Sequence, residues 1–351
     1  MTAGLPTMAA LLSGVICGIA IAQEPAATAP GTPDQAAVPI ELYQAPKSKK
    51  LVTPEYPSRE QYRGSEGWVN LSFMVDPKGK PFEISVSDST GNRTFEKLAL
   101  DALAHSTFEP GTLNGQAIES AYEMRYHFVN PNFAPGANTD FIQAYRKFLA
   151  ALKREDRSAA DEEMAHLQVL TLYEDAFYGM AQYQYAKLWG TEVQQLHGLR
   201  RALSRGDGGP YLPRAMFRAA LTLTLRLEID LHFYAEALGH WRDLQGIGVD
   251  AETTAKLQPI IAKIERSRTD DSNLEVTGTI DDHAWYLRLL KRHFQVVVDE
   301  GVISEVKLRC ARRYVYFAYD PQLRYEVSRT AGSCQLALEG SPGTRFRLEQ
   351  F

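Results

Sequence analysis

Three hydrophobic patterns succeed one another along the chain. Between residues 52 and 130, short runs rich in β-branched and aromatic residues alternate with turn formers. Trp68 to Val75 reads as a strand, Asp76-Pro77-Lys78-Gly79-Lys80 as a Pro/Gly turn and Pro81 to Ser87 as the returning strand of a hairpin. Phe95, Leu98, Ala99, Ala102 and Leu103 then recur at three and four residues, which predicts a helix capped at Thr94 and stopped by Phe108-Glu109-Pro110-Gly111. In the last run, Ser120 to Phe128, Tyr122, Met124, Tyr126 and Phe128 alternate with Ala121, Glu123, Arg125 and His127, the pattern of a half-buried strand. The expected order is strand, strand, helix, strand.

The texture from 138 to 268 is helical. Phe141, Ala144, Tyr145, Phe148, Leu149 and Leu152 form one apolar stripe. Helix pairs are expected around 140–168, 172–204 and 213–245, with Gly206-Asp207-Gly208-Gly209-Pro210 as a loop between the second and third. Leu221, Leu223, Leu225, Leu227, Ile229, Leu231 and Phe233 follow a strict period of two, which argues for a strand. Dominance of Ala and Leu, with no turn residue before His232, favours a helix instead. The aromatic group Tyr173, Phe177, Tyr178, Tyr183 and Tyr185 suits helix-to-helix core, with a peptide groove as the alternative. From 272 to 351 the pattern returns to strands, including Phe294 to Val298, a turn at Asp299-Glu300-Gly301, Ile303 to Cys310 and Ser333 to Glu339. The fold class is therefore α+β and multidomain: a module at 52–131, a helical, repeat-like middle at 138–268 and a small all-β domain at 272–351.

Met8 to Ala22 is an apolar stretch shorter than the ~20 residues that span a bilayer, and Ala20-Ile21-Ala22 precedes Gln23 as a cleavage site would. Residues 1–22 are expected to be a signal peptide cut between Ala22 and Gln23; an uncleaved anchor is the alternative, and only that alternative brings membrane contact. Residues 23–51, rich in Pro and Ala and ending in Lys47, Lys49 and Lys50, are expected to be a solvated tether. After cleavage two cysteines remain, and an exported chain meets an oxidising compartment. Cys310 shares its phase with Val306 and Leu308, and Cys334 with Leu336 and Leu338, so both thiols face the apolar side and pair as one disulfide; two buried free thiols are the alternative.

Across 351 residues, 44% are hydrophobic and 23% charged, which excludes global disorder, and a net charge of -5 lacks the basic excess that nucleic acid demands. No phosphate loop, nucleophile elbow or zinc signature is present. His283 and His293 beside Asp281-Asp282 are the nearest approach to a ligand cluster, and a solvated turn explains them better. No catalytic residue, metal or cofactor is expected, and the chain reads as a binding protein rather than an enzyme.

Pro54-x-Tyr56-Pro57, Glu66-Gly67-x-Val69, Phe73-x-Val75-Asp76 with Gly79, Ser89-x-Gly91, Phe95, Ala99-Leu100, Phe108-x-Pro110-Gly111 and Gly115 together resemble the C-terminal domain of TonB-family proteins. Leu231-His232-x-Tyr234-x-x-Ala237-Leu238-x-x-Trp241 is similar to the helix junction of tetratricopeptide repeats, with His232 where that pattern has Gly. The TonB resemblance implies a periplasmic module that takes an extended segment of an envelope partner, such as a TonB-dependent outer-membrane receptor, as an added strand. Glu123, Arg125 and His127 on the final strand would then meet the guest. Two functions fit: a periplasmic adaptor, or an energy transducer held in the inner membrane. The first histidine of the chain is His105 and about 220 residues follow the module, which favours the adaptor.

Overall fold

The TonB-like module forms as the pattern requires. In the computed structural model, which describes residues 42–130, 136–203, 205–206 and 209–351, β1 (Gly67–Val75) and β2 (Pro81–Ser89) make the hairpin, α1 (Arg93–Ala104) follows, and β3 (Ser120–Phe128) completes a sheet of order β2-β1-β3. The expected leader, its Ala22–Gln23 junction and residues 23–41 lie outside the described residues. Asp76 Oδ1 accepts from the backbone N–H groups of Lys78 and Lys80, each at 2.8 Å, and closes the hairpin turn. Gly79 sits there at φ 81°, where a Cβ would lie 2.0 Å from the carbonyl oxygen of Phe108, so no other residue fits. Helix α1 is capped by Asn92 rather than Thr94: its side chain accepts from the N–H groups of Thr94 and Phe95. Phe95, Ala99, Ala102 and Leu103 bury that helix against Val69, Leu71, Phe73 and Val75, and the Phe95 and Phe128 rings stack 4.2 Å apart.

Part of the stretch expected as a tether belongs to the module. Tyr43–Gln44 pairs with Gly111–Leu113, and Lys47–Lys50 pairs with Thr107–Glu109 while its side chains stay exposed. A basic run can be laddered through its backbone because the ladder uses only N–H and C=O groups, which side-chain polarity does not reveal.

Among the described residues seven helices follow: α2 (Thr139–Lys153), α3 (Arg157–His166), α4 (Leu172–Trp189), α5 (Glu192–Ala202), α6 (Arg214–Asp230), α7 (Tyr234–Ile247) and α8 (Ala251–Ser267). Caps mark their starts: Asn138, Asp156 and Asp250 accept from the first turns, while Thr171 and Thr191 form capping boxes with Glu174 and Gln194. Consecutive helices pack together as α2 with α3, α4 with α5 and α6 with α7. In the stripe read on α2, Leu149 is exposed; Phe141, Ala144, Phe148, Ala151 and Leu152 are buried. The period-two run is helical. Leu221 and Leu225 face the helical core, Leu231 lies against the C-terminal domain and Leu227 touches both, so apolar residues surround the helix because two layers cover it.

The C-terminal domain is a sandwich of β4 (Leu274–Thr279), β5 (Ala284–Arg288), β6 (His293–Glu300), β7 (Ile303–Cys310), β8 (Arg313–Ala318), β9 (Tyr325–Glu326), β10 (Cys334–Gly340) and β11 (Arg345–Gln350). One sheet has the order β4-β11-β6-β9 and the other β5-β10-β7-β8. Val276, Phe294, Val296, Phe346 and Leu348 of the first meet Leu287, Val306, Leu308, Leu336 and Leu338 of the second. The turn at Asp299-Glu300-Gly301 is therefore a corner between sheets, not a hairpin. Register shifts at Val298/Glu300 and Ile303/Glu305 bend the strands, and the buried Thr344 hydroxyl, which accepts from the N–H of Val302 at 3.0 Å, braces the corner. Cys310 and Cys334 are directly paired in the β7–β10 register and form the disulfide.

Candidate functional site

Strand β3 is an outer strand with the regularity an edge template needs. All nine of its residues pair with β1, Gly67 with Phe128 through to Val75 with Ser120, without a register shift. Its other side has no strand partner among the described residues. The opposite outer strand, β2, is a poorer template: its pairing slips twice, and Glu83 lies at φ 49°. An open, in-register row of N–H and C=O groups can accept an extended chain through main-chain hydrogen bonds.

Side chains of β3 take the two directions the alternation predicts. Tyr122, Met124, Tyr126 and Phe128 join the core that holds α1. Glu123, Arg125 and His127 face the other way, but not into open solvent, because the outer face of the β5-β10-β7-β8 sheet and the start of the helical region lie over that side. Glu123 Oε2 accepts from Arg288 Nη2 at 2.5 Å and its Oε1 from Gln335 Nε2 at 3.5 Å, yet the carboxylate keeps 47% of its exposure. Arg125 Nε donates to Asn70 Oδ1 at 2.5 Å and its guanidinium lies 4.5 Å over the Trp68 ring. Burial pushes the pKa of that guanidinium down, against the pull of Asp88 and Asp175. His127 is half-buried. Of the three predicted residues, Glu123 alone is exposed.

Further contacts fix the module to its neighbours. Glu66 Oε1 accepts from the N–H of Asn130 and Oε2 from the N–H of Leu172, both at 3.0 Å, so a carboxylate from the module satisfies a donor in the first turn of α4. Trp68 Nε1 donates to the buried Asp175 at 3.2 Å, and Lys307 Nζ lies 3.9 Å from Glu83. A space of about 460 Å³ beside β3 is lined by residues including Asp88, Arg125, Arg200, Glu236 and Arg288. Burial raises the pKa of both Asp88 and Glu236, with nearby cations and N–H donors opposing it. Sequence pattern did not mark Arg288, Gln335 or Asp175 as neighbours of β3. Each pairs with a residue more than a hundred positions away in sequence, which no local pattern encodes.

This arrangement matches a known module. The family model described as Gram-negative bacterial TonB protein C-terminal covers residues 52–129. Residues 52–129 are a TonB C-terminal domain. The protein called Protein TonB of Xanthomonas campestris pv. campestris strain B100 is 35% identical over 82 residues, which is 23% of this chain and 37% of that relative. Protein TonB of Pseudomonas aeruginosa is 29% identical over 82 residues, covering 24% of its length. Among solved structures, the solution NMR structure of the Pseudomonas aeruginosa TonB CTD is 27% identical, with a TM-score of 0.23 over 26% of this chain and 91% of that one. The chain thus spans little more than a third of the first of these relatives, and the family model ends at residue 129, before helix α2. Among the described residues no helix is long and apolar enough to cross a membrane, and no group of three acidic, histidine or cysteine side chains could hold a metal ion.

Proposed function

We propose that this chain is a TonB-like binding protein of the Gram-negative envelope, facing the periplasm, whose TonB C-terminal domain takes an extended segment of a partner protein as a fourth strand along β3. The open, bulge-free outer edge of β3 carries this reading, and the family match over 52–129 supplies the partner class, the peptide segments of TonB-dependent outer-membrane receptors. Main-chain bonds would supply affinity. Selection would come from alternate guest side chains, one set lying beside Tyr122 and Met124 and the other beside Glu123 and Arg288, at the rim where the sandwich approaches β3. An adaptor suits the arrangement better than a motor arm, because the TonB C-terminal domain is fixed to a helical region and a sandwich by contacts on the face away from α1.

Receptor-derived peptides that are N-methylated on alternate residues, in the two possible phases, test the mode of binding. Strand addition predicts that one phase, whose N–H groups would face β3, loses binding by about tenfold or more while the other binds like the unmodified peptide. Equal binding of both peptides would rule out a main-chain ladder, and absence of binding by the unmodified peptides would reject the partner class.

A further inference from the structure

Among the described residues the sandwich presents four outer edges, and at three of them other groups take up open backbone positions. On β4, His232 Nδ1 lies 2.6 Å from the carbonyl oxygen of Glu275. On β5, the N–H of Arg288 donates to Glu236 Oε1 at 2.8 Å. The short β9 covers His293 and Phe294 of β6, and where it stops the Tyr319 hydroxyl donates to the carbonyl oxygen of Val296 at 3.0 Å. Strand β8 is the exception. The N–H of Tyr319 donates back to the carbonyl oxygen of Ser304, so by the alternation of an antiparallel ladder the backbone groups of Tyr314, Tyr316 and Ala318 point away from β7. Those N–H and C=O groups have no partner among the described residues.

Proteins blunt such an edge with charge, proline or a bulge, because an uncharged strand of high β propensity otherwise pairs with other chains. Tyr314 to Tyr319 carries none of these devices. Its six residues include no charge and no proline, and β8 pairs with β7 from Glu305–Ala318 to Cys310–Arg313 without a shift. Tyr316, near its centre, is 62% exposed. We infer that this edge binds a second copy of this chain, the two β8 strands pairing antiparallel about Tyr316 so that two four-stranded sheets become one. The register suits the strand. Tyr316 meets its own counterpart, bulky Tyr314 lies opposite small Ala318 of the second copy, and Val315 lies opposite Phe317 of the second copy, a β-branched and aromatic pair. Arg313, the one charge of the strand, falls opposite Tyr319 of the second copy, so no like charges meet. Phe82 of the TonB sheet packs against Tyr314 with ring centroids 5.9 Å apart, while Ala318 at the other end is exposed. Antiparallel pairing thus sets the two TonB domains over opposite ends of the joint. This edge is separate from β3 and stands or falls without the strand-addition reading.

Sedimentation equilibrium of the folded chain, and of Tyr316→Lys and Tyr316→Glu separately and mixed, is the test. Wild type is expected to dimerise at submillimolar concentration. Position 316 faces its own counterpart across the two-fold axis, so each variant sets like charges together and should weaken dimerisation by about tenfold or more. An equimolar mixture of the two should reassociate, since opposite charges then face each other. Tyr316→Pro removes an outward N–H that β7 does not use, and should weaken dimerisation likewise while the fold is kept. A wild type that stays monomeric would overturn the inference and leave the edge to a different chain. So would a dimer that persists in both charged variants, which would place the contact on another surface, or a mixture no more associated than its parts, which would remove the two-fold register.

Discussion

The indole Nε1 of Trp68 donates to Asp175 Oδ2 across 3.2 Å and ties the TonB sheet to helix α4. Asp175 is 1% exposed and also accepts from Arg201 Nε at 2.7 Å, so one carboxylate serves both the module and the helices. Trp68→Phe keeps an aromatic ring and removes one donor, and should cost about 1–2 kcal/mol in urea unfolding. Asp175→Ala leaves Arg201 largely buried without its acid and should cost more, about 3–5 kcal/mol. Equal losses would mean that Asp175 is held by Trp68 alone.

Helices α4 and α5 touch through backbone at Gly179 and Gly198. A Cβ on Gly179 would lie 2.6 Å from the nitrogen of Ala202, and one on Gly198 would lie 2.6 Å from the nitrogen of Tyr183. Neither neighbour is a side chain that can rotate away. Gly198→Ala should therefore lose about 1–3 kcal/mol despite the higher helix propensity of Ala, as chemical denaturation would read.

Asp88 has a carboxyl whose pKa burial raises above the ordinary carboxylate value of 3.8, the nearby His197 and the N–H of Ser89 opposing the shift. A proton is then held more tightly in the folded chain than in the unfolded one. The stability this provides is complete below 3.8 and is lost as pH rises through the folded value. Asp88→Asn cannot ionise. At neutral pH it should be more stable than wild type, by about 1 kcal/mol, and the difference should vanish in acid. Thermal unfolding of both proteins across that pH range checks the sign.

The Cys310–Cys334 bridge closes a separation of 24 residues between adjacent strands of one sheet. Cys310→Ala with Cys334→Ala should lower stability by about 3 kcal/mol, and a reductant should lower the wild-type melting point while leaving the double variant unmoved. Reductant sensitivity in the double variant would place the effect elsewhere.

Periodicity and turn chemistry alone determined the hairpin, helix α1, strand β3 and the phase that turns both cysteines inward, because each depends on residues a few positions apart. His232 shows where such reasoning thins. It stands at φ 62°, a backbone shape that favours Gly, and its ring nitrogen Nδ1 lies 2.6 Å from the carbonyl oxygen of Glu275, so a tie to the sandwich holds a residue that local preference disfavours. The leucine run on α6 carried both periods because two layers claim its two faces.

Only the tertiary structure decided that the strands on either side of Gly301 belong to different sheets, and that the polar face of the TonB sheet lies against another domain. Alternation told that Glu123 and Gln335 point away from the apolar sides of their own strands, and it was silent on Arg288. It could not tell that Glu123 meets Arg288, since that pairing joins residues 165 positions apart and depends on how whole surfaces match in shape and charge.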